Sequence, residues 1–477
     1  MAFTFYWHDY ETFGADPRYD RPAQFAGVRT DDALREIDEP LVIYCKPPRD
    51  YLPHPEACLL TGITPQIADA QGLPEPEFIA RIHAEFSQPG TCGVGYNSLR
   101  FDDEVTRFTL YRNFYDPYAR EWQQGNSRWD IIDLARMTYA LRPAGITWPQ
   151  HEDGQPSFKL EDLVAANGIF HESAHDALSD VRATIALARL LRTQQPRLFD
   201  WLLQLRDKRK AAAQLDLTSR NPVLHTTRMY PAKTGCTSLV MPLITESGNN
   251  NSVLVYDLRH DPEMFLPLNT DELSQLLFTR SDELPDGLQR LPVKSVKINK
   301  CPALAPRNTL DSDAAGRIAL DLDKCYRHWQ TLCTYPEFFQ RVAAAYTSRA
   351  FEPPEDVDIA LYDGFLDNAD AYLLAQIRRA TPQQLTSMRF DFHDRRLPEL
   401  LFRYRARNWP ETLTPDERER WERFRLQRLT QANNGGNLTA DAYIAHITQL
   451  RDHYKTDGNA ITILNELETW RRNLLNA

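Results

Sequence analysis

The sequence predicts an α/β domain over residues 1–195, a β-rich domain over 196–345 and an all-α domain over 346–477. Three changes of texture along the chain carry this division. Strand-like and helix-like stretches alternate first, which argues for α/β architecture. A run of short β-rich segments separated by Gly, Asn and Pro clusters follows, as in small barrels and sandwiches. After the linker FEPPEDVD, apolar residues recur every three to four positions to the end of the chain, the period of amphipathic helices.

The elements follow in order. FTFYWHDYE, FAGVRT and LVIYCKP read as strands, being rich in aromatic and β-branched residues. CGVGYN is a short buried strand running into the helical pattern DDEVTRFTLYRNF. SFKLEDLVAANG is a short helix with a Ser near its start and Asn-Gly at its end, and ALSDVRATIALARLLR is a strong amphipathic helix. In the middle region PVLHTTRMY, TSLVMPLI, NSVLVYDL and VKSVKIN are strands, with a helix at DELSQLLF. The last region offers DAYLLAQIRRA, LPELLFRYRAR, PDERERWERFRLQRL, TADAYIAHITQLRDHY and AITILNELETWRRNLL as helices.

Composition excludes several classes. Of 477 residues, 42% are hydrophobic and 25% charged, which is globular rather than disordered. No window holds the ~20 uninterrupted apolar residues of a membrane span. MAFTFYWHDYETFG sets acids where the apolar region of an export signal belongs, so no signal is expected. Seven scattered cysteines without a CxxC pair argue against a disulfide scaffold or a cysteine zinc site, and suit a cytoplasmic protein. The net charge of −11 is no guide to partners, because basic clefts coexist with acidic surfaces elsewhere.

Three groups of residues carry chemistry. Asp9 and Glu11 are two apart on the first strand, so both point to one face, the face of Phe3, Phe5 and Trp7. Two acids on a face that should be buried call for a compensating cation. Asp102, Asp103 and Glu104 follow Asn97 and Ser98, where strand turns into helix; they also suit the positive end of a helix without further role. His175 precedes the helix that Asp176 or Ser173 can cap. Asp180 falls about one turn inside it, facing inward with Ala177, Val181 and Thr184.

In this order, Asp-x-Glu, Asp at a strand–helix junction and His-x4-Asp at a helix start resemble the DEDDh group of 3′→5′ exonucleases. The segment LTGITPQ resembles one common in that group. HDYETFG, RPAQFA, GYNSLRFDDEVTRF with YRNFYDPY, SRWDIIDL, INKCPALAP and LLFRYRARNWP narrow the resemblance to the bacterial exonuclease I family, over nearly the whole chain. The resemblance implies an RNase H-like first domain, an SH3-like second and a helical third, closing around single-stranded DNA. It implies that Asp9, Glu11, Asp102 and Asp180 hold two Mg²⁺ ions, with Mn²⁺ as a substitute, and that His175 is the general base. Glu11 is also expected near the terminal 3′-hydroxyl.

The implied activity is degradation of single-stranded DNA from its 3′ end to nucleoside 5′-monophosphates, in DNA repair and recombination. By resemblance, Arg107, Tyr118, Trp122 and Lys159 contact DNA, Lys159 standing where the family often has Arg. The helical region adds Arg378, Arg379, Arg389, Arg395, Arg396, Arg403, Arg405 and Arg407 as further cations. A protein partner is also implied, the acidic C-terminal tail of the single-stranded DNA-binding protein SSB, with Arg142 as a contact. No membrane role and a monomer are expected. The alternatives are a DEDDh exoribonuclease and a non-catalytic single-strand-binding module. The length of chain beyond the first domain weighs against the former, and retention of all five motif positions against the latter.

Overall fold

The computed structural model describes residues 3–170, 176–285, 287–347, 354–432 and 438–476. Two compact units result, each assembled from separate stretches. The first comprises Met1–Ser127, Glu172–Arg182 and Pro353–Ala477; the second comprises Arg128–His171 and Ala183–Glu352.

In the first unit β1 (Thr4–Thr12), β2 (Pro22–Thr30), β3 (Leu41–Tyr44) and β4 (Thr91–Gly95) form a mixed sheet in the order β3-β2-β1-β4. The β1–β2 and β2–β3 pairs are antiparallel, and β1–β4 is parallel. β1 does not alternate between a buried and an exposed face as its sequence suggests. Phe5 and Trp7 on one face and Tyr6, His8 and Tyr10 on the other are all buried, because a central strand covered on both sides has no solvent face. One layer covering it is an aromatic core of Tyr6, Tyr10, Phe25, Phe78 and Phe86, with the helix Glu75–Phe86.

The five tail helices foreseen from the periodicity are present as Asn368–Arg379, Leu397–Asn408, Pro415–Thr430, Ala440–His453 and Gly458–Asn476. The last two bury Tyr443, Ile447, Leu464, Leu467 and Trp470 against Phe13, Tyr51, Leu52 and Cys58. The basic residues of this tail are largely committed. Arg407 bonds Asp50 at 2.7 Å and also reaches Asp358, and Arg428 bonds Asp356 at 2.8 Å. Arg403 pairs with Asp356 and Glu399, Arg405 with Glu417, and Arg396 with Asp394.

The second unit contains β5 (Ser127–Asp130) from its second residue onward. It also holds β6 (Val223–Thr226), β7 (Thr237–Thr245), β8 (Ser252–Asp257), β9 (Val293–Lys297) and β10 (Ala303–Pro306), which form an antiparallel sheet in the order β10-β6-β7-β8-β9. The helix Thr270–Phe278 carries a capping box between Asn269 and Glu272. More helix is present than the β-rich texture suggests: Leu322–Cys333 and Pro336–Thr347 lie before the helical tail begins. Among the described residues no helix is long and apolar enough to cross a membrane.

Candidate active site

The site is built on the end of β1. Pairing of β1 with β4 ends at Trp7↔Val94, and beyond it the Tyr10 N–H donates to Asp102 Oδ1 at 3.0 Å. Asp102 reaches that position because the chain turns tightly after β4. A side chain at Gly95 would meet Ser98 Cβ at 2.6 Å and the His8 carbonyl at 2.9 Å. Asn97 takes the left-handed φ of 61°, which Asn tolerates better than most residues. The helix Asp102–Arg112 then starts with three acids in its first turn, where the dipole favours negative charge. Asp103, also buried, is bonded by Arg120 at 2.6 Å.

Glu11 sits beside an irregularity in the β1–β2 register, between Glu11 and Thr12; such bulges re-aim side chains. Its cross-strand partner Gln24 accepts the Ala177 N–H at 3.4 Å. That bond ties the start of the helix Ala177–Gln194 to the strand next to β1. Asp176 caps the helix, accepting the Ser179 N–H at 3.1 Å. Asp180 is one turn in, its N–H bonded to the Asp176 carbonyl. Ala177, Val181 and Thr184 are buried on the same side.

Asp9, Glu11 and Asp180 each present a carboxylate oxygen, all within 4.8 Å of one another. Burial, followed by the charges of Asp102, Glu11 and Asp180, pushes Asp9 well above the usual carboxylate range. Glu11 is pushed up to about 8 by burial and then by Asp180 and Asp176. Like charges this close disfavour ionisation of all members, and hard divalent cations prefer such oxygen donors. The residues therefore fit a divalent metal. His175 lies outside the described residues.

The expected DNA contacts fall in different surroundings. Arg107 is buried and well paired: Glu121 takes two of its nitrogens at 2.7 and 2.9 Å, Glu104 a third at 2.8 Å, and the Tyr362 hydroxyl bonds it at 3.1 Å. Its guanidinium lies 5.1 Å from the Tyr118 ring centre. Trp122 is 65% exposed. Lys159 and Arg142 lie in the second unit. Lys159 is exposed, 3.7 Å from Glu161. Arg142 is the C-cap of the helix Ile131–Leu141; it donates to the Thr309 carbonyl at 2.8 Å and to Asp311 at 3.2 Å.

Sequence reasoning missed Asp176 as a source of charge at the acids, having treated it as a cap alone. It also missed Phe365, which is 91% exposed with its ring 6.2 Å from that of Tyr118. A phenylalanine in the loop segment DGFLD was the available signal, but proximity to Tyr118 depends on tertiary structure.

A mixed sheet with Asp-x-Glu on its central strand and a helix-borne Asp converging on it fits the divalent-metal nucleases of the RNase H-like class. Comparisons with known proteins narrow the class. Family models match for an exonuclease domain at residues 6–188, the exonuclease I SH3-like domain at 206–348 and the exonuclease I C-terminal domain at 355–474. The chain is 46% identical to exodeoxyribonuclease I of Escherichia coli over 465 residues, 97% of this chain and 96% of the relative.

Among solved structures, a moderately thermophilic exonuclease I from Methylocaldum szegediense is 50% identical with a TM-score of 0.95, covering 99% of each chain. The zinc-bound form of an E. coli exonuclease I complex with single-stranded DNA is 45% identical with a TM-score of 0.94, covering 99% of this chain and 100% of that one. A complex of SSB and exonuclease I with an inhibitor is 43% identical with a TM-score of 0.92, at the same coverage. The chain belongs to the exonuclease I family and is an exodeoxyribonuclease, with an exonuclease domain, an SH3-like domain and a family-specific C-terminal domain.

Proposed function

We propose that the protein removes nucleotides from the 3′ end of single-stranded DNA, using two Mg²⁺ ions held by Asp9, Glu11, Asp102 and Asp180. The observation that carries this reading is the convergence of the Asp9, Glu11 and Asp180 oxygens within 4.8 Å, with Glu11 held up to about 8 by burial and neighbouring acids. Divalent ions held by these acids would supply acidity to a water and would stabilise charge on the attacking and leaving oxygens at phosphorus. His175 takes the proton from that water, a role its ordinary pKa near 6.5 suits. Glu11 also meets the terminal 3′-hydroxyl. Asp102, fixed by the Tyr10 N–H, keeps its orientation without help from the substrate. The products are nucleoside 5′-monophosphates.

Preference for single strands is supported by exposed aromatics at Trp122 and Phe365, since unstacked bases stack on such rings. It is also supported by the similarity to an exonuclease I bound to single-stranded DNA. Lys159 contributes a phosphate contact. Arg107 joins Glu121 and Glu104 to the Tyr118 ring and so holds that ring for stacking as well as offering charge. The protein works as a cytoplasmic monomer in DNA repair, and Arg142 receives the acidic tail of SSB. The similarity to a solved SSB and exonuclease I complex supports the partner.

The deciding experiment uses 5′-labelled single-stranded DNA, duplex DNA and RNA with Mg²⁺, with Mn²⁺ and with EDTA. A descending ladder from single-stranded DNA, a poor duplex reaction and no reaction in EDTA are expected. Early release of the 5′ label as a mononucleotide would reverse the polarity, and faster RNA cleavage would reject the substrate. For the partner, a labelled SSB tail peptide should bind wild type at low salt and weaken with added salt; equal binding to Arg142→Ala would reject that residue as the contact.

A further inference from the structure

The first unit contains a polar cavity, of about 220 Å³, lined by residues that include Lys46, Arg49, Arg112, Tyr404, Arg407 and Asn408. Arg112 is the last residue of the helix that Asp102 begins. Eleven residues at 1.5 Å each put the two helix ends roughly 15 Å apart, so this cavity is distinct from the acid cluster. Its cations differ in how far they are used. Arg407 is committed to Asp50 and Asp358. Arg49 reaches Asp69 at 3.2 Å from an exposed position.

Arg112 is 3% exposed. Its Nε and Nη2 meet Glu75 at 3.2 Å each, and Nη2 also meets Thr109 Oγ1 at 3.1 Å. Its Nη1 is buried with no hydrogen-bond acceptor among the described residues. Lys46, exposed at the cavity, has no ion-pair partner among the described residues. A buried charged donor left without an acceptor is costly. An anion entering the cavity would meet Lys46 and Arg49 first, with Arg112 behind them in the lining. Asp69 and Glu75 also line it and pair with Arg49 and Arg112, so the anion reaches Nη1 only if the guanidinium shifts toward it. Tyr404 offers an aromatic wall and Asn408 an amide, which suit a small ligand with a ring beside its anionic group.

We propose that this cavity binds a phosphate dianion, either as the 5′-phosphate of a released mononucleotide or as inorganic phosphate. The first source rests on the exonuclease reading above; the second does not. Arginine and lysine together are the usual holders of such groups, the guanidinium through directed hydrogen bonds and the ammonium as a point charge.

The test is calorimetric titration of the full-length Asp180→Ala protein in EDTA, which removes metal-mediated binding at the acids. The probes are dAMP, inorganic phosphate, deoxyadenosine and a short thymidine oligonucleotide. Saturable binding of dAMP or phosphate is expected, with none for deoxyadenosine. Tighter binding of dAMP than of phosphate identifies the mononucleotide as the source, and the reverse identifies inorganic phosphate. Adding Lys46→Ala and Arg49→Ala, both exposed, should weaken that binding about tenfold, a loss of about 1.4 kcal/mol. In the otherwise wild-type chain the same pair should leave DNA cleavage unchanged. Arg112→Gln should weaken phosphate binding as well, with thermal unfolding followed in parallel to verify its fold.

Absence of dAMP and phosphate binding, equal binding of deoxyadenosine, binding of the oligonucleotide alone, or no effect of the Lys46/Arg49 pair would each overturn the proposal. Failure of the exonuclease reading would show instead as wild-type protein that leaves single-stranded DNA intact in Mg²⁺, a result independent of these titrations.

Discussion

At the residue scale, the acids are arranged against their own ionisation. Glu11 is held up to about 8 from an ordinary 4.5 by burial, then Asp180 and Asp176. Between those values the metal-free folded protein binds more protons than the unfolded chain, so its stability falls as pH rises from about 4.5 to about 8. Metal-free protein should therefore show a melting temperature that declines across this window. Mg²⁺ should raise it more at pH 8 than at pH 5; an equal rise at both would remove metal from this account. Asp9→Ala and Asp180→Ala should abolish hydrolysis while preserving folding and DNA binding, and Asp180→Ala should stabilise the metal-free protein at pH 8 by removing a like charge. Near-wild-type turnover by either variant at saturating Mg²⁺ would show the site is misassigned. His175→Ala should slow single-turnover cleavage by about 10²–10⁴-fold, the usual size of a general-base contribution, with DNA binding unchanged. A loss below about threefold, far short of that range, would favour a capping role.

At the element scale, two helices deliver acids to one strand by different means. The helix Asp102–Arg112 is set by a tight turn that needs Gly95, and Ala177–Gln194 is set by Gln24 and the Asp176 cap. Asp176→Ala should cost about 0.5–2 kcal/mol as a lost N-cap, measured by urea unfolding in the presence of Mg²⁺. The same change should lower the pH at which Glu11 titrates, since Asp176 is one of the charges raising it. The segment after Asp102–Arg112 presents Trp122 to solvent. Trp122→Ala should weaken single-stranded DNA binding by about 1–3 kcal/mol, the range for one base–aromatic stack, with little change in melting temperature. Unchanged anisotropy titrations would make it an ordinary surface residue.

At the scale of the whole molecule, the tail is bound to the N-terminal stretch by a buried charge network. Asp50 accepts from Arg407 and also pairs with Arg428, while Asp358 meets Arg21, Arg403, Arg407 and Arg428. Burial raises the pKa of Asp50, but the charges of Arg407 and Arg428 outweigh it and hold the carboxyl down at about 2. That contribution is present above about pH 3.8 and lost as pH falls toward about 2. Arg407→Met should destabilise the protein by about 3–5 kcal/mol, because Asp50 and Asp358 lose a buried partner. A loss below about 1 kcal/mol in denaturant unfolding would mean that water or the remaining arginines compensate, since about 1 kcal/mol is the ceiling for an exposed pair.

The sequence by itself determined the class of the protein and singled out Asp9, Glu11 and Asp180, whose carboxylates converge in space. Asp-x-Glu on a strand and Asp180 one turn into a capped helix are local relations, readable from periods of two and 3.6 residues, and their order along the chain carried the family. It also determined the five tail helices, because their apolar spacing is a local signal. Only the tertiary structure decided that β1 is buried on both faces, since coverage depends on layers contributed by distant residues. It alone showed that Arg107, Arg403 and Arg407 are paired with carboxylates; a basic residue looks the same in sequence whether paired or not. The cavity beside Arg112 was likewise illegible. Its lining comes from strand ends, helix ends and the tail, and an unmet donor is defined only by what fails to reach it in space.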